Sequence, residues 1–342
     1  MAYTAIDDPT AHFQVKTYTG NYDTNAITLD GDSDLQGDLI WLKQRDDASD
    51  GWHCYDSVRG VAEQLRLDDN RAESTTSGIL ASFNTDGFTL GANNAVNEDG
   101  DAHIAYVWKG ANGTATNTAG DKDSTVSVNT TAGISIVKWN NDTSDAISIG
   151  HGLGAIPEAV IVKDEDSVAN WHARFKSFAA NDYIALNNNE AKGASTAVFA
   201  TLPTATLFYT GTAAYHVNTN CIAYCFTSIQ GFSKIGTYTG NNNADGIFVN
   251  CGFRPAWVMT RALDTSNWYL WDNKTSIHNE MNASLSVNQT IAEETSREID
   301  FLSNGFKPRE ARGSHNDAGD FIFMAFAESP FVNSNGVPNN AR

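Results

Sequence analysis

The sequence predicts an all-β protein, and three observations support this fold class. Apolar and β-branched runs of roughly four to six residues recur about every ten residues, separated by clusters of Asn, Asp, Gly, Ser and Thr. Stretches with a helical period are scarce, and residues 61–67 are the one candidate for a short helix or turn. The same landmarks also occur three times at matching separations. Units of about 100 residues with many short strands favour β-sandwiches of jelly-roll or lectin-like type over propeller blades.

The repeat has four landmarks that follow one another in the same order. A strand ends in an aromatic residue, a second strand ends in a basic residue, a tryptophan follows, and an apolar strand closes the unit. The three tryptophans lie 9, 8 and 7 residues beyond the basic residues, and we expect them to be core anchors rather than sugar-stacking platforms. We expect the basic residues to form exposed ion pairs at strand ends. In chain order the landmarks are Tyr18, Trp139 and Tyr238, then Lys43, Lys163 and Arg261, then Trp52, Trp171 and Trp268, and finally the strands at 104–108, 222–226 and 322–326.

The middle unit is the divergent one. The first and third units carry Asp86-Gly87 and Asn304-Gly305 before an apolar strand, which is a strong hairpin signal, and the second unit lacks it. The predicted organisation is a first sandwich at 1–110, a polar linker at 111–132, a second sandwich at 133–228, a third at 229–328 and a tail at 329–342.

The charge balance and the apolar content exclude several classes of protein. The chain of 342 residues has 22 Lys and Arg against 41 Asp and Glu, a net charge of −19, so nucleic acid is not an expected partner. With 41% hydrophobic and only 18% charged residues, the chain is expected to be globular. The first residues show no basic stretch followed by an apolar one, and no run of 18 apolar residues occurs, which predicts neither signal-directed export nor membrane insertion.

The four cysteines match no common zinc motif and no C-x-x-C redox pair. Structural thiols in a reducing compartment are the default interpretation, and one disulfide remains an alternative.

One acidic segment has the spacing of a hard-cation loop. Asp30, Asp32 and Asp34 stand at alternate positions, from which carboxylates can converge on Ca²⁺. The segment is not an EF-hand, because Trp41 stands where the bidentate Glu would be required. These three aspartates are therefore the candidate metal site, and a solvated acidic turn is the alternative that we favour. No other cofactor is expected.

No arrangement of residues predicts catalysis. The histidines form no metal pattern, and no nucleophile elbow accompanies a Ser-His-Asp set. The glycine-rich segment 150–154 lies between two β runs and does not open a helix, so it is interpreted as a turn and not as a phosphate loop. The sequence therefore predicts a protein that is not an enzyme.

Four strings carry a resemblance to a known family. They are DSVRG at 56–60, SFNTDGFTLG at 82–91, GHGLG at 150–154 and FAESPFV at 326–332. Together they resemble a repeat-containing family of virion structural proteins from tailed bacteriophages, marine ones in particular, over essentially the whole chain. The resemblance implies a place in the virion and supplies no catalytic residues.

The function expected from this resemblance is a non-enzymatic structural and interaction protein of the virion, namely a tail-associated fibre or receptor-binding adhesin. The alternatives are a capsid decoration or head-fibre protein and, less favoured, a depolymerase acting on host surface polysaccharide. The expected partners are other virion proteins and a host surface glycan or protein receptor. The expected assembly is a homo-oligomer, with a trimer anticipated for a fibre. Assembly would take place in the host bacterial cytoplasm.

Overall fold

The regular structure of the chain is almost entirely antiparallel β. A computed structural model describes residues 3–212 and 215–339. Within these ranges the helical segments are a 3₁₀ turn at Pro9–Ala11 and the single-turn helix α1 at Asn94–Asn97. No helix in the described part of the chain has the length and apolar character needed to cross a membrane.

The first part of the chain forms a large sheet, with strand order β1-β9-β3-β4-β5-β6, and a small sheet, with order β2-β8-β7. The strands are β1 (Phe13–Thr19), β2 (Asn25–Ile27), β3 (Leu39–Gln44), β4 (His53–Asp56), β5 (Glu63–Arg66), β6 (Ser74–Thr75), β7 (Leu80–Phe83), β8 (Phe88–Leu90) and β9 (Ala102–Trp108).

The second part forms a large sheet, with order β10-β11-β12-β19-β14-β15-β16-β17, and a small sheet of β13 and β18. The strands are β10 (Ala115–Asn117), β11 (Ser124–Asn129), β12 (Ile134–Asn141), β13 (Ile147–Gly150), β14 (Ala159–Asp164), β15 (His172–Phe175), β16 (Asp182–Ala185), β17 (Gly193–Ala194), β18 (Leu207–Thr210) and β19 (Thr219–Phe226).

The third part forms a large sheet, with order β20-β27-β22-β23-β24, and a small sheet, with order β21-β26-β25. The strands are β20 (Ser233–Thr239), β21 (Val249–Asn250), β22 (Phe253–Ala262), β23 (Tyr269–Asp272), β24 (Leu285–Ser286), β25 (Ile299–Leu302), β26 (Gly305–Pro308) and β27 (Asp320–Pro330).

In each part the large sheet packs against its own small sheet, and the core between them joins residues from both. In the first part, for example, Ile40 and Ala105 of the large sheet share a buried cluster with Phe88 and Leu90 of the small one. Corresponding clusters lie between the two sheets of the second and third parts. The predicted all-β class with sandwich packing is confirmed, and the three bodies are called the first, second and third sandwich below.

The other face of every large sheet is buried as well. Along β3, Ile40 and Leu42 face the small sheet, while Leu39 and Trp41 belong to a central core that also contains residues of the second and third sandwiches. All residues of β3, β14 and β22 are therefore buried. Sheets covered on both faces require continuous apolar runs, which explains why these strands read as uninterrupted hydrophobic segments.

The central core is arranged around three aromatic residues at matching register positions. Trp108 pairs with Leu39, Phe226 with Ala159 and Phe326 with Trp257, each time joining the last strand of a sandwich to its second long strand. The ring centroids of Trp108 and Phe226 are 6.5 Å apart, those of Phe226 and Phe326 are 6.0 Å apart, and those of Trp108 and Phe326 are 5.7 Å apart. The three large sheets thus meet around one axis.

Several predictions about individual segments need correction. The predicted linker at 111–132 connects the first two sandwiches, but it also contains β10 and β11, which extend the second sheet beyond β12. Of the segment predicted as a short helix or turn, residues 61–62 form a turn. Residues 63–66 form strand β5 instead of a helix, because the hydrogen bonds of this segment go to β4 and β6. The tail leaves the sheet after β27, and the Nδ2 of Asn339 donates to the carbonyl oxygens of Ser303 and Ser329.

Candidate functional site

The candidate calcium ligands do not come together. The carboxylate of Asp30 forms ion pairs with the ammonium groups of Lys16, at 3.3 Å, and Lys274, at 3.0 Å. Asp32 and Asp34 are exposed. Within the described residues, only Asp47, Asp50 and Glu98 bring ligand oxygens within 4.8 Å of one another, so Asp30, Asp32 and Asp34 do not form the predicted site. Lysine ammonium groups neutralise the first of the three carboxylates, and the other two side chains are exposed to solvent.

The group formed by Asp47, Asp50 and Glu98 also lies beside a positive charge. The Lys43 ammonium donates to the carbonyl oxygen of Asp47, and Asp50 is among the carboxylates that act on the pKa of this lysine. An acidic cluster with a neighbouring ammonium has part of its charge already balanced.

The three repeated tryptophans form hydrogen bonds between neighbouring sandwiches. Their side chains are at most 1% exposed, so the expectation that they are core anchors is confirmed. Each indole Nε1 donates to a backbone carbonyl of the preceding sandwich in cyclic order. The bonds run from Trp52 to Ser286 (2.8 Å), from Trp171 to Arg66 (2.7 Å) and from Trp268 to Ala185 (2.8 Å).

The three acceptor residues occupy matching register positions. Arg66 pairs with His53, Ala185 with His172 and Ser286 with Tyr269, and each of these partners directly follows one of the tryptophans. The contact zone between two neighbouring sandwiches is called a seam below. Each seam also has a backbone hydrogen bond: Glu73 N–H to Glu165 O, Lys192 N–H to Leu263 O and Glu293 N–H to Arg45 O. The contacts therefore run from the first sandwich to the second, from the second to the third and from the third to the first.

A buried tyrosine–aspartate bond crosses two of the three seams. Tyr224 donates to Asp56 at 2.7 Å, and Tyr106 donates to Asp272 at 2.9 Å. The seam between the second and third sandwiches has Met324 at the register position of the tyrosine and Phe175 at that of the aspartate. Both residues belong to the central core. In this seam both members of the pair are apolar. Because the tyrosine and the aspartate are absent together, neither leaves a buried polar atom without a partner.

The repeated basic residues are buried, and the expectation of exposed ion pairs is wrong. Lys43, Lys163 and Arg261 are completely buried. Each donates to the carbonyl oxygen of the last residue of its own strand and to one carbonyl oxygen of the loop that follows, for example Lys163 to Asp164 and Ser167. Burial lowers the pKa of both lysines to about 8 and that of Arg261 to about 10. These cations hold loop backbone in place, which no spacing in the sequence reveals.

Arg59 and Cys54 are buried at the seam between the first and second sandwiches. Arg59 donates to Asp56 at 2.6 Å and to Glu73 at 2.8 Å, and its guanidinium lies 3.4 Å from the Tyr224 hydroxyl. Burial raises the pKa of the neighbouring Cys54 thiol to about 12, which disfavours the reactive thiolate. All four cysteines are buried and free, so the alternative of a disulfide is not realised.

Glu165 lies at the seam between the first and second sandwiches. One carboxylate oxygen binds the Lys138 ammonium at 2.5 Å, and the other is buried without a hydrogen-bond partner in the described part of the chain. Burial raises the pKa of Glu165 to about 7, although Lys138 favours the charged form.

A cleft of about 380 Å³ opens at the seam between the third and first sandwiches. Its apolar lining combines the buried Phe13 and Ala256 with the exposed Ile277. Asp32, Lys274 and Glu328 carry charged groups around it. Sequence reasoning singled out the aspartates of this region as metal ligands. It gave no indication of Lys274 or Glu328, which reach the cleft from a different sandwich.

The fold and these contacts define a class: an all-β protein whose three sandwiches close around a shared core by cyclic hydrogen bonds. Residues 8–330 match a family described as Domain of unknown function (DUF7483), and the chain belongs to this family. No curated protein matches the chain. No solved structure matches it either.

Proposed function

We propose that this chain is a non-enzymatic structural and contact protein of a bacteriophage virion, specifically a tail-associated fibre or receptor-binding adhesin. The four strings that resemble phage virion proteins motivate the virion as its location. The observation that carries a contact function is the closed set of tryptophan bonds across the seams. It ties the three sandwiches into one body, because relative movement of any two would break a buried hydrogen bond.

The use of the buried ionisable groups supports a role without turnover. Arg59 and Asp56 bind each other, and Lys43 and Lys163 bind loop carbonyls. These groups are engaged in holding the fold, whereas a catalytic acid, base or nucleophile must reach a substrate.

We further propose that the three sandwiches are copies of one module. Support comes from the strand order at the centre of each large sheet, which in the three sandwiches is β1-β9-β3-β4, β12-β19-β14-β15 and β20-β27-β22-β23. The matching register of Trp108, Phe226 and Phe326 supports the same proposal. The test is an experimental structure in which residues 13–110, 133–227 and 232–327 are superposed. Three different folds would overturn the proposal.

Placement in the virion can be tested directly. Antibodies against the purified chain would be used for immunogold labelling of particles of the phage that encodes it, with particles lacking the gene as the control. Label at the tail is the expected result. Label on the head would assign the decoration role instead, and absence of label from every particle would overturn the virion proposal. Homo-oligomerisation remains a prediction, which light scattering of the purified chain would test.

A further inference from the structure

The cleft of about 380 Å³ lies at the one seam that the chain does not cross. Residues 109–133 lead from the last strand of the first sandwich to the second, and residues 227–232 lead from the second to the third. The corresponding connection from the third sandwich back to the first would run from Phe326 to Phe13. The rings of these two residues stack at a centroid distance of 4.9 Å. Beyond them the two chain segments contact each other, for example through the hydrogen bond from Ser334 N–H to Asp7 Oδ1 at 2.7 Å, but no peptide connection joins them.

The lining of the cleft follows from this geometry. Residues 327–329, just after Phe326, and residues 10 and 13–15, at the start of β1, face each other across it. At the other two seams a covalent connection joins the corresponding strands. The cleft lies at the seam without such a connection.

The walls of the cleft come from two sandwiches that are joined by an ion pair. Asp30 and Asp32 belong to the loop after β2 of the first sandwich, and Lys274 belongs to the loop after β23 of the third. The Lys274 ammonium is 3.0 Å from Asp30 Oδ1, and this contact spans the seam. Removing Lys274 would free the two loops from each other.

The charges around the cleft are largely balanced. Asp30 is paired with Lys16 and Lys274, and Glu328 lies 3.2 Å from the Arg254 guanidinium. Asp32 has no hydrogen-bond or ion-pair partner within the described residues and is exposed at the edge. The site thus offers an acceptor at Asp32, a donor at Lys274 and little net charge.

We propose that this cleft binds a neutral saccharide of one or two rings. A sugar has apolar C–H faces, which suit the exposed Ile277 side chain in the lining, and hydroxyl groups that both donate and accept, which suit Asp32 and Lys274. The net charge of −19 disfavours an anionic ligand over the whole surface. The volume lies at the lower end of the range of about 300–1,000 Å³ that is typical of ligand pockets.

This inference names a ligand class for the adhesin role proposed above, and in that respect it rests on the proposed function. The site itself is independent of where the chain resides in the virion. A binding experiment on the purified chain can therefore fail while the labelling experiment succeeds, or the reverse.

The experiment is saturation-transfer difference NMR on the full chain. The probes are the methyl glycosides of glucose, galactose, mannose, rhamnose and N-acetylglucosamine, together with maltose and lactose. Transfer to at least one probe is expected. Asp32→Ala and Lys274→Met should each weaken its binding about tenfold, because a hydrogen bond to a charged group is lost.

Two matched controls make the result specific to the cleft. Asp34→Ala removes an exposed carboxylate from the same loop outside the cleft, and Lys307→Met removes an ion-paired ammonium elsewhere in the third sandwich. Both should bind the probe as the unchanged chain does, and thermal unfolding would verify that all four variants are folded. The proposal would be overturned by absence of transfer to every probe, by binding that Asp32→Ala and Lys274→Met leave unchanged, or by equal loss in the controls.

Discussion

The indole Nε1 of Trp52 donates a 2.8 Å hydrogen bond to the carbonyl oxygen of Ser286, 234 positions further along the chain. This bond joins the first sandwich to the third, the two bodies that no connecting segment links directly. Its counterparts at Trp171 and Trp268 join the remaining pairs. The seams are therefore the features on which the stability of the molecule is expected to depend.

Replacing Trp52 by Phe should destabilise the protein by more than the loss of ring area alone. The Ser286 carbonyl would lose its donor in a buried position, which costs about 1–3 kcal/mol. Trp139→Phe is the matched control, because Trp139 is buried but its Nε1 has no hydrogen-bond partner in the described residues. Urea unfolding of both variants measures the difference. Equal losses would show that the seam bond contributes nothing.

Tyr106→Phe should reduce the free energy of unfolding by about 1–3 kcal/mol, because Asp272 Oδ2 would lose the hydroxyl that donates to it. Tyr55→Phe provides the contrast. The Tyr55 hydroxyl is buried and has no partner among the residues described, so its removal should be neutral or stabilising. Denaturant unfolding of the two variants tests the prediction, and similar costs for both would contradict it.

Glu165 should make stability fall as the pH rises through neutrality. Its pKa is about 7 in the folded chain against 4.5 as the ordinary value, so the folded state holds the proton more tightly. The stabilisation is complete below pH 4.5 and is lost as the pH rises through 7, by at most about 3 kcal/mol.

The variant Glu165→Gln cannot titrate, so the difference in unfolding free energy between it and the unchanged chain should vary between pH 5 and 8. The exposed Glu190→Gln variant makes the same change of residue type outside the seam and is measured as the control. A pH-independent difference for Glu165→Gln would refute the assignment.

The buried lysines should have the opposite effect at higher pH. Lys43 and Lys163 have a pKa of about 8 when folded and 10.5 ordinarily, so the unfolded chain binds more protons between these values and stability rises with pH. Lys43→Met should remove roughly 1–2 kcal/mol of the rise between pH 8 and 9.5. Urea unfolding at the two pH values gives this slope. Lys307→Met, at a partly exposed ion pair, should keep the full rise.

Much of the secondary structure could be predicted because its causes are local. Asp86-Gly87 marks the hairpin in which Phe83 pairs with Phe88, and Asn304-Gly305 marks the one in which Leu302 pairs with Gly305. Gly87 has a φ of 96°, the left-handed conformation that a tight turn needs. Gly305 begins β26, where a Cβ would clash with the carbonyl oxygen of Val249. The constant position of the tryptophans likewise indicated burial.

The environments of charged residues could not be predicted in this way. Lys43 is the last residue but one of β3, and a lysine near a strand end is usually solvated. The loop beyond the strand nevertheless folds back so that the carbonyl oxygen of Asp47 accepts a hydrogen bond from the Lys43 ammonium. Asp30 belongs to a spacing typical of cation loops, but Lys274 from another sandwich neutralises it. Both outcomes depend on groups brought in by folding and not on the residues immediately around them.

By itself the amino-acid sequence determined the β class, the strand runs and the recurrence of landmarks, because alternation, turn residues and residue volume act over a few positions. Only the tertiary structure decided that the large sheets bury both faces around Trp108, Phe226 and Phe326, and that one seam is left without a connection. Such contacts join residues separated by a hundred positions or more. Their geometry is fixed by how complete sheets pack, which no short segment encodes.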